Sequence, residues 1–387
     1  MKIKELKRVE VVSKMTEKNI TNAQAAELLG ISIRQLQRLK KRLESHGAEG
    51  LRHGNRDKPS GNRKDEEFRS SVLQEYVNTY TGFGPTLASE KLHERGLAVD
   101  HETLRRWLIQ EGLWERKRRR KSYRSRRPRK ASFGEMIQFD GSPHDWFEGR
   151  RGVCCLMVMV EDATGKTFAL FTEQETSEAA MRLLWGWIAL YGLPISLYCD
   201  LKNAYKTLRE TTLEEQLAGI VPATAFQKSC ETLGIEIKSA YSPQAKGRVE
   251  RRNGILQDRL VKELRLRGIS TIEEANDFLT KVFLPDFNER FEVEAEDPED
   301  VHVGCPPDVE LEEIFCFEDV RVVQNDFTIH YQGEVIQLRK PEGCVLRPKQ
   351  KVCVRRYLDR SLGIVHESRK LEFEILQDPK TRLRRAG

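Results

Sequence analysis

Apolar residues recur at three- and four-residue intervals through the first 110 positions, and beyond about position 133 they gather into short, nearly unbroken runs. The first pattern is helical and the second belongs to strands. Over the first 45 residues the spacing predicts helices at IKELKRVEVVSKM, at NAQAAELL with Thr21 as its N-cap, and at IRQLQRLKKRL, with Gly30 at the intervening turn. Ala25, Leu28 and Leu29 then share one apolar stripe with Ile33, Leu36 and Leu39. Two short helices that bury a common stripe across a Gly-containing turn form a helix-turn-helix. The last helix exposes Arg34, Gln35, Arg38 and Lys41, residue types that hydrogen-bond base edges and phosphates from a major groove.

The theme repeats after a Gly-, Pro- and Asn-rich linker at 50–65. FRSSVLQEYVNTY, PTLASEKLHERG and HETLRRWLIQEGLW predict a second helical DNA-binding module over 66–114, with Pro85 in a first helical turn and Thr103, Arg105 and Arg106 on its reading helix. From about 133, EMIQFDGS, GVCCLMVMVED and KTFALFTE predict three sequential antiparallel strands. A helix over Ser177 to Tyr191, a strand at PISLYCD, helix up to Leu233, a short strand EIKSA and a long amphipathic helix GRVERRNGILQDRLVKELRLRG follow, which makes a mixed α/β sheet covered by helices over 132–300. The alternating tail, 301–387, predicts a small antiparallel β-barrel. The fold class is therefore multidomain: helical modules, an α/β core and a terminal β domain.

Charge sharpens this division. The whole chain of 387 residues carries a formal +6, yet the stretch from Trp114 to Lys130 alone holds eleven Lys and Arg against one acid. Arg118, Arg119, Arg120 and Lys121 lie at its centre, in a connector spanning 115–131. Such a concentrated field between folded segments suits a phosphate backbone. No apolar run reaches the roughly 18 to 20 residues of a membrane span, and the N-terminus lacks a signal-peptide pattern, so a cytoplasmic protein is expected. The eight cysteines form no CxxC pair, which suits reduced thiols, and Cys154 and Cys155 fall in a strand as core residues.

Three acids stand apart. Asp140 ends the run MIQF, Asp200 ends ISLYC, and Glu250 lies near the start of the long helix. A carboxylate desolvated by an apolar run needs a partner, because it would otherwise take up a proton. If their strands are neighbours, Asp140 and Asp200 converge, and Glu250 on a covering helix closes the site. Three hard oxygen donors suit Mg²⁺ or Mn²⁺ rather than zinc. Lys246, Asn253 and Gln257 share the helical face of Glu250, and Asn203 follows Asp200 by three residues. Asp145, Glu161 and Asp162 read as loop or surface acids, and His144 alone is no metal ligand.

The segment Tyr241-Ser242-Pro243-Gln244-Ala245-Lys246-Gly247-Arg248-Val249-Glu250-Arg251-Arg252-Asn253 resembles the motif around the last acid of DDE transposases and retroviral-type integrases, and IQFDGS and LYCDLKNAY resemble those around the first two. The order of domains is similar to that of integrase-like bacterial insertion-sequence transposases, most closely the ISNCY group. The resemblance implies an RNase H-like core in which Asp140, Asp200 and Glu250 hold two Mg²⁺ (or Mn²⁺) ions, with Asp140 bridging both. It also implies double-stranded DNA partners, element ends and target alike, bound by Arg34, Gln35, Arg38, Lys41, Thr103, Arg105, Arg106, the connector, Lys246, Asn253 and Gln257, with Asn203 supporting the acids. Strand cleavage and 3′-hydroxyl transfer would follow, performed by at least a dimer. Two features depart from the family: 49 residues separate Asp200 from Glu250, a longer interval than usual, and no His/Cys zinc pattern precedes the core. The extra residues are expected within 208–226, where added loop costs little. A DNA-binding regulator or an inactive remnant is the competing reading, against which the intact acidic triad counts.

Overall fold

The computed structural model describes residues 3–52, 64–115, 127–200, 205, 207, 209, 211–212, 216–217, 222–239, 246–339 and 346–376. It divides into two compact units, Met1–Val77 and Asn78–Gly387.

The first unit opens with α1 (Ile3–Thr16), α2 (Asn22–Leu29) and α3 (Ile33–His46). Thr21 and Ser32 begin α2 and α3 with capping boxes, each side chain accepting from a backbone N–H three residues on while a glutamine answers in return. Gly30 ends α2 at φ +59°, a left-handed position that glycine fills without strain. Val12, Ala25, Ala26, Leu36 and Leu51 form the core. The apolar stripe differs from the spacing argument at two places: Leu28 and Ile33 are about half exposed, and Ala26 is buried instead. Small alanines let α2 approach its neighbours closely, which turns the larger side chains at its margins outward.

α4 (Glu66–Thr79) spans the division between the units. In the second unit, α5 (Pro85–Glu94) and α6 (His101–Gln110) pack through Phe83, Leu87, Leu92, Leu104 and Leu108. β1 (Ser132–Phe133) precedes a five-stranded sheet of β2 (Ile137–His144), β3 (Cys154–Glu161), β4 (Thr167–Thr172), β5 (Ser196–Cys199) and β6 (Glu236–Ser239). Their order is β4-β3-β2-β5-β6. The first three strands are an antiparallel meander, and β5 and β6 continue the sheet in parallel with β2.

Both faces of this sheet are covered. α7 (Ser177–Tyr191) and α8 (Ala225–Thr232) lie against Ile137, Phe139, Met157 and Met159. α9 (Gly247–Leu266), α10 (Ile272–Phe278) and α11 (Leu284–Phe291) lie against Leu156, Val158 and Val160. Every residue of β3 is buried, which accounts for its unbroken apolar run. Gly192, at φ +99° after α7, meets the chain at Val303 so closely that a Cβ would stand 2.9 Å from the carbonyl oxygen. β7 (Asp297–Asp300) pairs with β1.

The tail, after the short α12 (Leu311–Ile314), forms two antiparallel sheets around one core that includes Ile329, Ile336, Val354 and Ile364. One holds β9 (Thr328–Tyr331), β10 (Glu334–Leu338) and β14 (Phe373–Leu376). The other holds β8 (Cys316–Val322), β11 (Lys351–Tyr357), β12 (Leu362–His366) and β13 (Arg369–Leu371). The expected barrel is thus present as two sheets, and backbone pairing among the described residues does not join them into a closed ring. No described helix is long and apolar enough to cross a membrane.

Candidate active site

The site grows from the alternation of β2. Its odd positions, Ile137 and Phe139, enter the apolar layer under α7. Its even positions, Gln138, Asp140 and Ser142, face α9, because successive strand residues point to opposite sides. Each is met by the helix. Val249 N–H donates to Gln138 Oε1 at 3.1 Å, Asn253 Nδ2 to Asp140 Oδ2 at 3.1 Å, and Gln257 Nε2 to Ser142 Oγ at 3.1 Å. A polar ladder therefore aligns helix and strand.

Register supplies the second acid. Ile137 pairs with Leu197 and Gln138 with Tyr198, so the same offset carried on sets Asp140, in the middle of β2, level with Asp200, one residue past the end of β5. One cation joins them: Lys246 Nζ lies 3.0 Å from Asp140 Oδ1 and 3.0 Å from Asp200 Oδ2. The lysine side chain is 4% exposed, against 15% for Asp140 and 41% for Asp200. Asn253 Oδ1 is buried with no hydrogen-bond partner among the described residues. Helical spacing sets Glu250 on the same face, one turn from both Lys246 and Asn253. It is exposed and makes no hydrogen bond or ion pair with the described residues. Thus Asp140 and Asp200 meet, Glu250 flanks them, and no three acids, histidines or cysteines among the described residues gather closely enough to hold an ion together.

Glu175, ahead of α7, is a further carboxylate, beside the strand neighbour of Asp140 but on the opposite, α7-side face of β2. Its carboxyl carbon lies 2.5 Å from where a Cβ on Gly141 would stand, so glycine next to Asp140 is what admits it. The buried Tyr205 hydroxyl donates to Glu175, and burial with the charges of Glu175 and Asp140 pushes that phenol well above its ordinary range.

Two acids assigned to the surface by sequence are in the interior: Glu161 and Asp162 are fully buried. Asp162 Oδ1 accepts from Gln138 Nε2 at 2.8 Å and from Arg127, Oδ2 accepts from Lys130 N–H at 2.9 Å, and Arg248 Nε lies 3.5 Å away. Gln138 thereby links Asp162 to the α9 backbone beside Glu250. Glu161 accepts from Thr164 N–H and Oγ1, and burial raises its pKa. Glu161 carries the signature used for Asp140 and Asp200, an acid closing an apolar run, and Asp162 follows it directly, so the same criterion points to this pair. Gln138, polar within MIQF two places before Asp140, was legible as well. Glu175 and Tyr205 had no local signal. Asp145 is the expected loop acid, accepting from Gly149 N–H.

Of the residues expected to read DNA, Arg34, Gln35, Arg38 and Lys41 are exposed on α3, with Gln35 engaged in the cap of its own helix. Arg105 donates two hydrogen bonds to Glu102, at 2.7 and 2.6 Å, and Arg106 lies 3.4 Å from Thr103. Lys246, Asn253 and Gln257 face Asp140 and Ser142. Arg118, Arg119, Arg120, Lys121 and Asn203 lie outside the described residues, as do 208, 210, 213–215 and 218–221.

A meander of three antiparallel strands extended by two parallel ones, with two acids level on the central pair and a long helix across them, makes a mixed α/β core built around a carboxylate pair. Residues 7–60 match the model of a helix-turn-helix domain. The chain is 36% identical to transposase y4bF of Sinorhizobium fredii over 88% of its own length and 74% of that protein. It is 30% identical to the transposase for insertion sequence IS1202 of Streptococcus pneumoniae, over 74% of this chain and 68% of that one. The HTLV-2 integrase catalytic core domain in complex with magnesium matches 39% of this chain and 89% of its own at 23% identity and a TM-score of 0.28. The chain belongs to the family of insertion-sequence transposases and carries a helix-turn-helix domain.

Proposed function

We propose that this transposase binds the terminal inverted repeats of its element and performs metal-dependent strand cleavage and 3′-hydroxyl transfer into target DNA through Asp140, Asp200 and Glu250. The observation that carries the reading is the shared cation: two carboxylates on adjacent strands converge on one nitrogen, with a third acid one helical turn away. The donor set fits a hard divalent ion, since every candidate ligand is an oxygen, an ammonium already stands in as counter-charge, and the buried Asn253 Oδ1 has a free acceptor position. When bound, two Mg²⁺ or Mn²⁺ ions would activate the attacking hydroxyl and stabilise the departing oxygen. The chain's own part is positional. Asn253 fixes the Asp140 carboxylate from one side, Gln138 ties the first turn of α9 to β2, and α9 brings Glu250 along the same face. The exposed basic face of α3 supports sequence reading, and the connector supports phosphate binding. Joining two element ends requires at least two protomers on DNA.

Labelled element-end DNA with Mg²⁺ and purified protein tests this. Asp140→Asn, Asp200→Asn and Glu250→Gln are each expected to abolish nicking and joining while leaving DNA binding within a few-fold. Strand transfer at the wild-type rate by any of them removes that residue from the site. Changing Arg34 and Arg38 should alter which sequence is bound, whereas replacing connector arginines by Gln should flatten the salt dependence of binding for all sequences.

A further inference from the structure

Lys246 occupies the position a ligand-bound cation would take. Its ammonium is 3.0 Å from an oxygen of each carboxylate, and its side chain is almost wholly buried. Mg²⁺ binds carboxylate oxygen at about 2.0–2.1 Å, so an ion held by both acids and this ammonium have overlapping demands on the same oxygens. A +1 charge and a +2 charge side by side in a buried site also repel. We infer that Lys246 is a displaceable internal counter-ion, which keeps Asp140 and Asp200 together in the cation-free protein and must leave the pair before a divalent cation binds there.

The inference rests on the reading of Asp140 and Asp200 as cation ligands and adds a regulating residue to it. Several features suit Lys246 to leave. It sits at the N-terminal boundary of α9, ahead of the helix proper, and makes no side-chain cap bond. Gly247 follows, and none of the described residues comes within 4 Å of where its Cβ would stand. The ammonium rides on a flexible four-carbon stem. Asp140 retains Asn253 when the lysine goes, so it is not left adrift. Once released, the ammonium stays within a turn of Glu250 and is free to meet a DNA phosphate. Cation loading and phosphate binding by this residue are thereby coupled.

The first test uses the wild-type chain. Lysine labelling with an amine-reactive ester, followed by mass spectrometry of the peptide carrying Lys246, is compared in EDTA and in saturating Mg²⁺. Labelling at Lys246 should accelerate at least about fivefold with Mg²⁺, the low end of ordinary site-to-site coupling. An unchanged rate, with Mg²⁺ bound, overturns the inference. The second test is Mn²⁺ titration by electron paramagnetic resonance. Lys246→Met should bind Mn²⁺ at least about fivefold more tightly than wild type, and Lys246→Arg, which keeps the charge, should not. Equal or weaker binding by Lys246→Met refutes displacement. Asp140→Asn separates the two levels: if it binds Mn²⁺ as wild type does, or if neither wild type nor Lys246→Met binds any, the ligand assignment fails and the inference with it. If Asp140→Asn loses Mn²⁺ while Lys246→Met gains nothing, only the counter-ion role fails.

Discussion

Replacing Asp162 by Asn should destabilise the second unit far more than a surface acid would. Asp162 is fully buried and its two oxygens accept from Gln138, Arg127 and the Lys130 backbone, with Arg248 at 3.5 Å. Asn keeps the shape but offers only one accepting oxygen, and its amide would point a donor at one of these donors. Breaking a buried charge pair costs about 3–5 kcal/mol when the surviving charge stays buried. Here Arg127 and Arg248 are 35% and 21% exposed and recover some hydration, so about 2–4 kcal/mol is expected. All five tryptophans fall within 78–387, so urea unfolding followed by tryptophan fluorescence reports this unit alone. The midpoint should drop with an unchanged slope. A loss below about 0.5 kcal/mol, the range of ordinary surface substitutions, would refute the reasoning. Gln138→Leu should lose part of the same energy, and the two changes should be non-additive because they share a bond.

Glu90 on α5 receives two hydrogen bonds from Arg259 on α9, both 2.7 Å, and although burial opposes it, that bond and the charges of Arg259 and Arg290 hold its pKa below the usual carboxylate range. Its contribution is complete above the ordinary carboxylate pKa and is lost as pH falls through the lowered one, so Glu90→Gln should flatten the acid limb of stability against pH; an unaltered limb counts against the pair. Leu36→Ala, at a fully buried position, should cost the first unit about 2–5 kcal/mol, read as faster hydrogen exchange in peptides from 3–52, and unchanged exchange would show that Leu36 is not central to that core. Gly141→Ala should displace Glu175 from Tyr205 and destabilise by about 1–3 kcal/mol, and wild-type thermal stability would mean that the carboxylate yields freely.

Much of this protein is written locally. Thr21, Ser32 and Pro85 mark helix starts, the run at 154–161 announces a strand buried on both faces, and the spacing from Lys246 to Gln257 sets one helical face. Capping, strand alternation and helical period act over a few residues, so one-dimensional reading reaches them. What the tail strands would close into was not available in this way, because alternation fixes which residues face inward and leaves open which edges pair.

The sequence by itself determined the helical modules, the succession of strands and helices along the core and the apolar runs that Asp140 and Asp200 close. Only the tertiary structure decided that Asp140 and Asp200 share Lys246, that Asp162 is interior, and that Gly141 admits Glu175. Those outcomes depend on strand register, which joins residues 60 positions apart, and on how α9 crosses β2, which joins residues more than a hundred apart, and nothing in the local pattern encodes such distances.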